Sequence, residues 1–159
     1  MEAVIDEVSE YERERGKPMP TLNHAYLQKN LLVSLDYRYR KQYTVLSELN
    51  LTMPERPDTV PDIAIYPKLT IDFLHDVTSM MQMPLTVVEI VSPSQGDAEI
   101  IAKFERYFKA GVQSCWLVLP TLKAVAVYAA IGKYQFFPDD TTLTDVVAGI
   151  ELPLSDVFA

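Results

Sequence analysis

The stretch from residue 84 to 120, PLTVVEIVSPSQGDAEIIAKFERYFKAGVQSCWLVLP, decides the fold. Its opening run, PLTVVEIV, is apolar on both faces apart from Glu89, the pattern of a strand buried centrally in a sheet. SPSQGD interrupts the run as a loop. In DAEIIAKFERYFKAG, Ile100, Phe104, Tyr107 and Phe108 recur at helical spacing and make one apolar stripe. Gly111 stands where a left-handed C-terminal cap is expected, and SCWLVLP then reads as another strand.

Working upstream, Pro18 and Pro20 lead into TLNHAYLQKNLLVSLDYRYRKQ, where Leu27, Leu31 and Leu35 predict a helix over residues 22–40. TVLSEL (44–49) and DIAIY (62–66) read as strands separated by the turn region PERPDTV. Downstream, LKAVAVYA and KYQFF form a hairpin turning at residues 130–132, and LSDVF makes a short terminal helix. The order predicts an α/β class: a mixed β-sheet flanked by helices. The 159 residues fit a single domain, read as a polar arm (1–20) followed by the folded unit (21–159). A hydrophobic content of 48% and a charged content of 23% exclude global disorder. No apolar run reaches the roughly 18 residues of a membrane helix, and MEAVIDEVSEYERE is acidic where a signal peptide is basic. One cysteine excludes an internal disulfide, so a reducing cytoplasm is the expected setting. Cys115, beside Trp116, and the methionines 80, 81 and 83 are expected to fill core or interface.

Glu89 demands an account, because a carboxylate among valines in a central strand is costly unless it is paired or holds a metal. It should share a face with Leu85, Val87 and Val91. Asp62 follows Pro61 and opens the strand whose same face carries Ala64 and Tyr66. If the two strands are neighbours, both acids enter one pocket as hard oxygen donors suited to Mg²⁺ or Mn²⁺. Lys103, on the following helix, could position or deprotonate a water, or stabilise a charged transition state. Each residue has a plainer reading: Asp62 as a turn cap, Glu89 as a structural acid paired with the first long helix, and Lys103 in a surface pair with Glu99. His24 reads as a satisfied, partly buried histidine, and His75 as solvated.

PDIAIYP, VVEIVSPSQ and K-x-x-x-Y-x-x-AGV-x-x-x-W-L-V, in that order, resemble the Uma-type restriction endonuclease family of the PD-(D/E)XK nuclease superfamily. The resemblance runs from about Tyr11 to the C-terminus. It implies a restriction-endonuclease-like fold and a metal-dependent endonuclease hydrolysing DNA phosphodiester bonds. Asp62 and Glu89 would then be the metal ligands and Lys103 the third catalytic residue. Val91 occupies the superfamily's usual lysine position, and Lys103 matches the lysine's place on the next helix. Tyr11, Glu12 and Gly16 resemble the family's YE-x-x-x-G segment, and His24 the histidine that opens its first long helix. Glu99 replaces the family's usual Asp, and Leu119 the Asp of its WLVDP-like strand. Glu12, His24 and Glu99 are therefore accessory site residues by resemblance. The missing lysine at Val91 keeps open a catalytically inactive module that binds nucleic acid or mediates assembly, and a third option is a hydrolase of another substrate.

The formal charge of −8 argues against holding nucleic acid by bulk electrostatics. Bases concentrate in segments 29–41 and 103–109, which are expected to form a local positive face. Arg38, Arg40 and Lys41, interleaved with tyrosines, are candidate DNA contacts, or else simply complement a helix C-terminus. A homodimer is expected on the ground that cutting both strands of a duplex suits twofold symmetry.

Overall fold

A computed structural model of the chain describes residues 10–15 and 19–159. Within the stretch read as a polar arm, Glu10–Arg15 form a short helix, α1. The helix over Leu22–Tyr39 (α2) starts where the Thr21 side chain accepts the His24 backbone N–H at 3.3 Å. A Thr cap of this kind satisfies one of the amides that a helix start leaves unpaired. Strands β1 (Tyr43–Ser47), β2 (Ile63–Pro67) and β3 (Thr86–Ile90) follow, then helix α3 (Asp97–Ala110) and strand β4 (Ser114–Leu119). Strands β5 (Ala124–Ala130) and β6 (Lys133–Pro138) form the expected hairpin, and β7 (Thr142–Asp145) and β8 (Ile150–Pro153) a second one. The LSDVF segment makes only a 3₁₀ turn, Leu154–Asp156.

The main sheet has six strands in chain order, antiparallel throughout except for the parallel pair β3–β4. A parallel pair cannot be joined by a tight turn, so α3 serves as the crossover. Its end is set by Gly111, which adopts a φ of +109° that a side chain would oppose, and whose N–H returns to the carbonyl of Phe108 at 3.1 Å.

The period-2 alternation of the strands sorts the core into two layers. On one face Ile63, Ile65, Val88, Ile90 and Trp116 pack under Leu27, Leu31 and Leu35 of α2 and under the β7–β8 hairpin. On the other, Ala64, Tyr66, Val87 and Cys115 pack under Ile100, Phe104 and Tyr107 of α3. Leu85 departs from the expected pattern: it precedes β3 and packs on the α2 side, away from Val87. Cys115 is core, and burial pushes its thiol well above the ordinary range, which removes it as a nucleophile. Met80 and Met83 fill gaps on the α3 side while Met81 is exposed. His75 is exposed and pairs with Asp72 at 2.9 Å.

The small hairpin is tied to the sheet by Trp116, whose indole N–H donates to the buried Asp145 carboxylate at 2.8 Å. The other Asp145 oxygen accepts the Ala148 N–H at 3.0 Å. Asp145→Ala leaves both donors unpaired and is expected to destabilise the fold by about 2 kcal/mol or more. Urea unfolding followed by the fluorescence of the one tryptophan measures this directly, and an unchanged midpoint would contradict it.

A candidate active site at the rim of the sheet

Asp62 stands just before β2 and is 1% exposed; Glu89 lies inside β3 and is 2% exposed. The β2–β3 register pairs Ala64 with Val87 and Ile63 with Val88, and one further step sets Asp62 opposite Glu89. The strands that carry the two acids are thus adjacent, the condition on which the expectation of a shared pocket rests.

Different helices hold them. One Asp62 oxygen accepts the Ile90 N–H at 2.7 Å, and the other lies 3.1 Å from His24 Nε2. Beyond the end of β2, the side chain thereby takes the place of a ladder carbonyl for the β3 backbone. Asp62 is not a local turn cap: its acceptor role reaches across to β3. Gln28, one turn after His24 on the same face of α2, donates to the Asp62 carbonyl at 3.1 Å. Helix α2 therefore grips both the side chain and the backbone of this residue. Glu89 is held from the other layer, where the Tyr107 hydroxyl donates to Oε1 at 2.9 Å. Thr59 Oγ1 lies 3.0 Å from the same hydroxyl and donates to it, since the phenolic proton is already given to Glu89. Burial first, and then the negative charge of Glu89, push the Tyr107 hydroxyl well above its ordinary range, so it stays a donor. This partner comes from α3, whereas the plainer reading of Glu89 looks to the first long helix.

Lys103 sits one turn before Tyr107 on α3 and is half-buried. Among the described residues it forms no ion pair with Glu99, which is exposed. Glu12 is half-buried on α1; Gly16 and the side chain of Tyr11 lie outside the described residues. Val91 is half-buried, and its N–H donates to the Val118 carbonyl at 3.0 Å, continuing the parallel ladder. Among the described residues no group of three or more His, Cys, Asp and Glu side chains converges as a metal cage.

The expected positive face does not form. Arg38 pairs with Asp156 at 3.0 Å, Arg40 with Asp36 at 2.7 Å, and Lys109 with Glu55 at 2.8 Å. Arg106 donates to the carbonyls of Glu55 and Pro57. Lys41 is exposed. The two basic segments belong to α2 and α3, which cover opposite faces of the sheet. Arg38 is also 14 residues beyond His24, about 21 Å along the helix axis.

Sequence patterning missed Gln28, Thr59 and Tyr107. Tyr107 was legible only as part of an apolar stripe, although it lies four residues from Lys103. Gln28, four residues after His24, carried the same kind of signal.

The chain can be compared with known proteins at this point. Residues 9–155 match the Uma2 family, described as "Putative restriction endonuclease". Among solved structures the fold is similar to that of a "putative nuclease belonging to DUF820" from Anabaena variabilis. The TM-score is 0.76 at 23% sequence identity, over 89% of this chain and 83% of that one. No curated protein sequence matches. Among the described residues no helix is long and apolar enough to cross a membrane. The nuclease-like mixed sheet, with Asp62 and Glu89 buried on adjacent strands, is thus that of a single-domain chain that belongs to the Uma2 family.

Proposed function

We propose that the protein is a metal-dependent endonuclease hydrolysing DNA phosphodiester bonds. The observation that carries this reading is the pair of buried carboxylates on adjacent strands, each clamped by a different helix. Two hard oxygen donors, with no converging group of three or more His, Cys, Asp and Glu side chains among the described residues, fit Mg²⁺ or Mn²⁺, which keep waters and take substrate phosphate oxygens as their remaining ligands. Asp62 and Glu89 would hold the ion, whose contribution when bound is to polarise the phosphate and make water a better nucleophile.

The chain's own groups do the rest. His24 and the Ile90 N–H fix the plane of the Asp62 carboxylate, and Tyr107 fixes that of Glu89. Partners of this kind keep carboxylates correctly aimed. Lys103, one turn before Tyr107 on α3, would orient the attacking water and offset negative charge developing on the phosphoryl oxygens. Water adds its hydroxyl to phosphorus, the bond to the leaving oxygen breaks, and that oxygen takes up a proton. A twofold pair of chains would offer one such site to each strand of a duplex.

Supercoiled plasmid incubated with Mg²⁺ or Mn²⁺ should be nicked by the wild type, and Asp62→Asn or Glu89→Gln should lower the rate by ~10²-fold or more. Equal nicking by wild type and Glu89→Gln would refute the assignment. DNA bound without any nicking, and equally well by both variants, would instead support a catalytically inactive nucleic-acid-binding module. Tyr107→Phe removes the donor to Glu89, along with the acceptor of Thr59, and is expected to weaken Mn²⁺ binding or activity by roughly 10–100-fold, read from titration and from rates. Because Arg38, Arg40, Arg106 and Lys109 are already engaged within the chain, DNA affinity should depend shallowly on salt. A log–log slope no steeper than about −3 is expected, and a steeper one would show that these bases leave their partners to bind phosphate.

A further inference from the structure

Beyond the C-terminal ends of β3 and β4 lies a pocket of about 400 Å³, within the usual size range of small-molecule sites. Parallel strands joined through a helix open such a crevice at their carboxyl ends. Two of its lining residues connect the pocket to the acids. His24, which reaches Asp62 at 3.1 Å, forms part of its wall, and Val91, two residues after Glu89, forms another. No lysine, arginine, aspartate or glutamate lines it among the described residues. Such a lining gives a metal ion no carboxylate and, His24 aside, a phosphate no cation.

What the lining offers is apolar wall and neutral hydrogen-bonding groups. Val91, Leu119 and Pro120 supply the first, Gln95 and Thr121 the second. Gln95 is oriented by Ser92, whose N–H and hydroxyl approach its Oε1 at 3.3 and 3.2 Å. That leaves the Gln95 amide NH₂ with no hydrogen bond among the described residues and with two donors to offer. Side-chain amides read base edges, and apolar walls suit a flat ring.

We propose that this pocket receives the nucleobase and sugar next to the phosphodiester that lies on Asp62 and Glu89, an assignment that rests on the nuclease reading above. In a nucleic acid the groups flanking each phosphate are uncharged, planar and edged with hydrogen-bonding atoms. The lining matches that chemistry, while the acids beside it match the phosphate and its metal.

The test titrates the full chain, free of metal, with adenosine, guanosine, cytidine and thymidine, followed by NMR. At least one nucleoside should give saturable shifts at Gln95 and Thr121 that excess inorganic phosphate does not reverse. Gln95→Ala should weaken that binding roughly fivefold, the loss of one neutral hydrogen bond. The exposed Thr121, replaced in Thr121→Phe, should block the pocket and abolish binding. Absence of saturable binding, displacement by phosphate, or binding indifferent to both substitutions would overturn the proposal. Plasmid nicking on the same preparations separates it from the nuclease reading. Nicking without nucleoside binding removes the pocket alone. Nucleoside binding at Gln95 without nicking removes hydrolysis and upholds the pocket as a nucleic-acid contact.

Discussion

Burying the carboxylates of Asp62 and Glu89 on adjacent strands, at 1% and 2% exposure, costs several kcal/mol per ion unless hydrogen bonds replace the lost water. Much of the architecture answers that demand. Helix α2 delivers His24 and Gln28 to Asp62, and helix α3 delivers Tyr107 to Glu89. Each helix is anchored for its own reasons, by Leu27, Leu31 and Leu35 on one face and by Ile100 and Phe104 on the other. The hydrophobic layers thus set where the polar donors arrive, and an interior this closely packed gives those donors little freedom to drift.

The same two-layer arrangement decides the electrostatics. Bases on α2 and α3 point away from the sheet on opposite sides, where Asp156, Asp36 and Glu55 engage three of them. Surface pairs of this type contribute little to stability, but they occupy charges that a duplex would otherwise meet. With a net charge of −8, and with the described bases of α2 and α3 on opposite faces of the sheet, the charge distribution favours no long-range attraction to a polyanion, and under the nuclease reading proposed above recognition falls to short-range contacts. In that proposal the burden rests on the acids, on Lys103 and on the pocket lined by Gln95 and Thr121.

Much of the fold was legible in the chain. The Leu27–Leu31–Leu35 spacing marked α2, PLTVVEIV marked the central strand, and Gly111 marked the end of α3. Departures occurred where local pattern was weakest. Leu85 reads as part of the strand by hydrophobicity but precedes β3, so it packs in the other layer. LSDVF is too short for a stable α-helix and closes as a 3₁₀ turn. In the site, Asp62 and Glu89 stood out because a charge in an apolar strand is conspicuous. Tyr107, Thr59 and Gln28 did not, because a tyrosine in an apolar stripe or a glutamine on a helix carries no such contrast.

By itself, the sequence determined the class of fold, the identity of the conspicuous acids and the periodicities of the elements that carry them. These follow from local rules: side chains alternate every two residues in a strand and recur every 3.6 in a helix. Only the tertiary structure decided that Asp62 faces Glu89, that their partners come from opposite layers, and that the two basic segments never meet. Those outcomes depend on strand register and on which face of the sheet each helix covers. Both are settled by packing between residues far apart in the chain, which a local pattern does not encode.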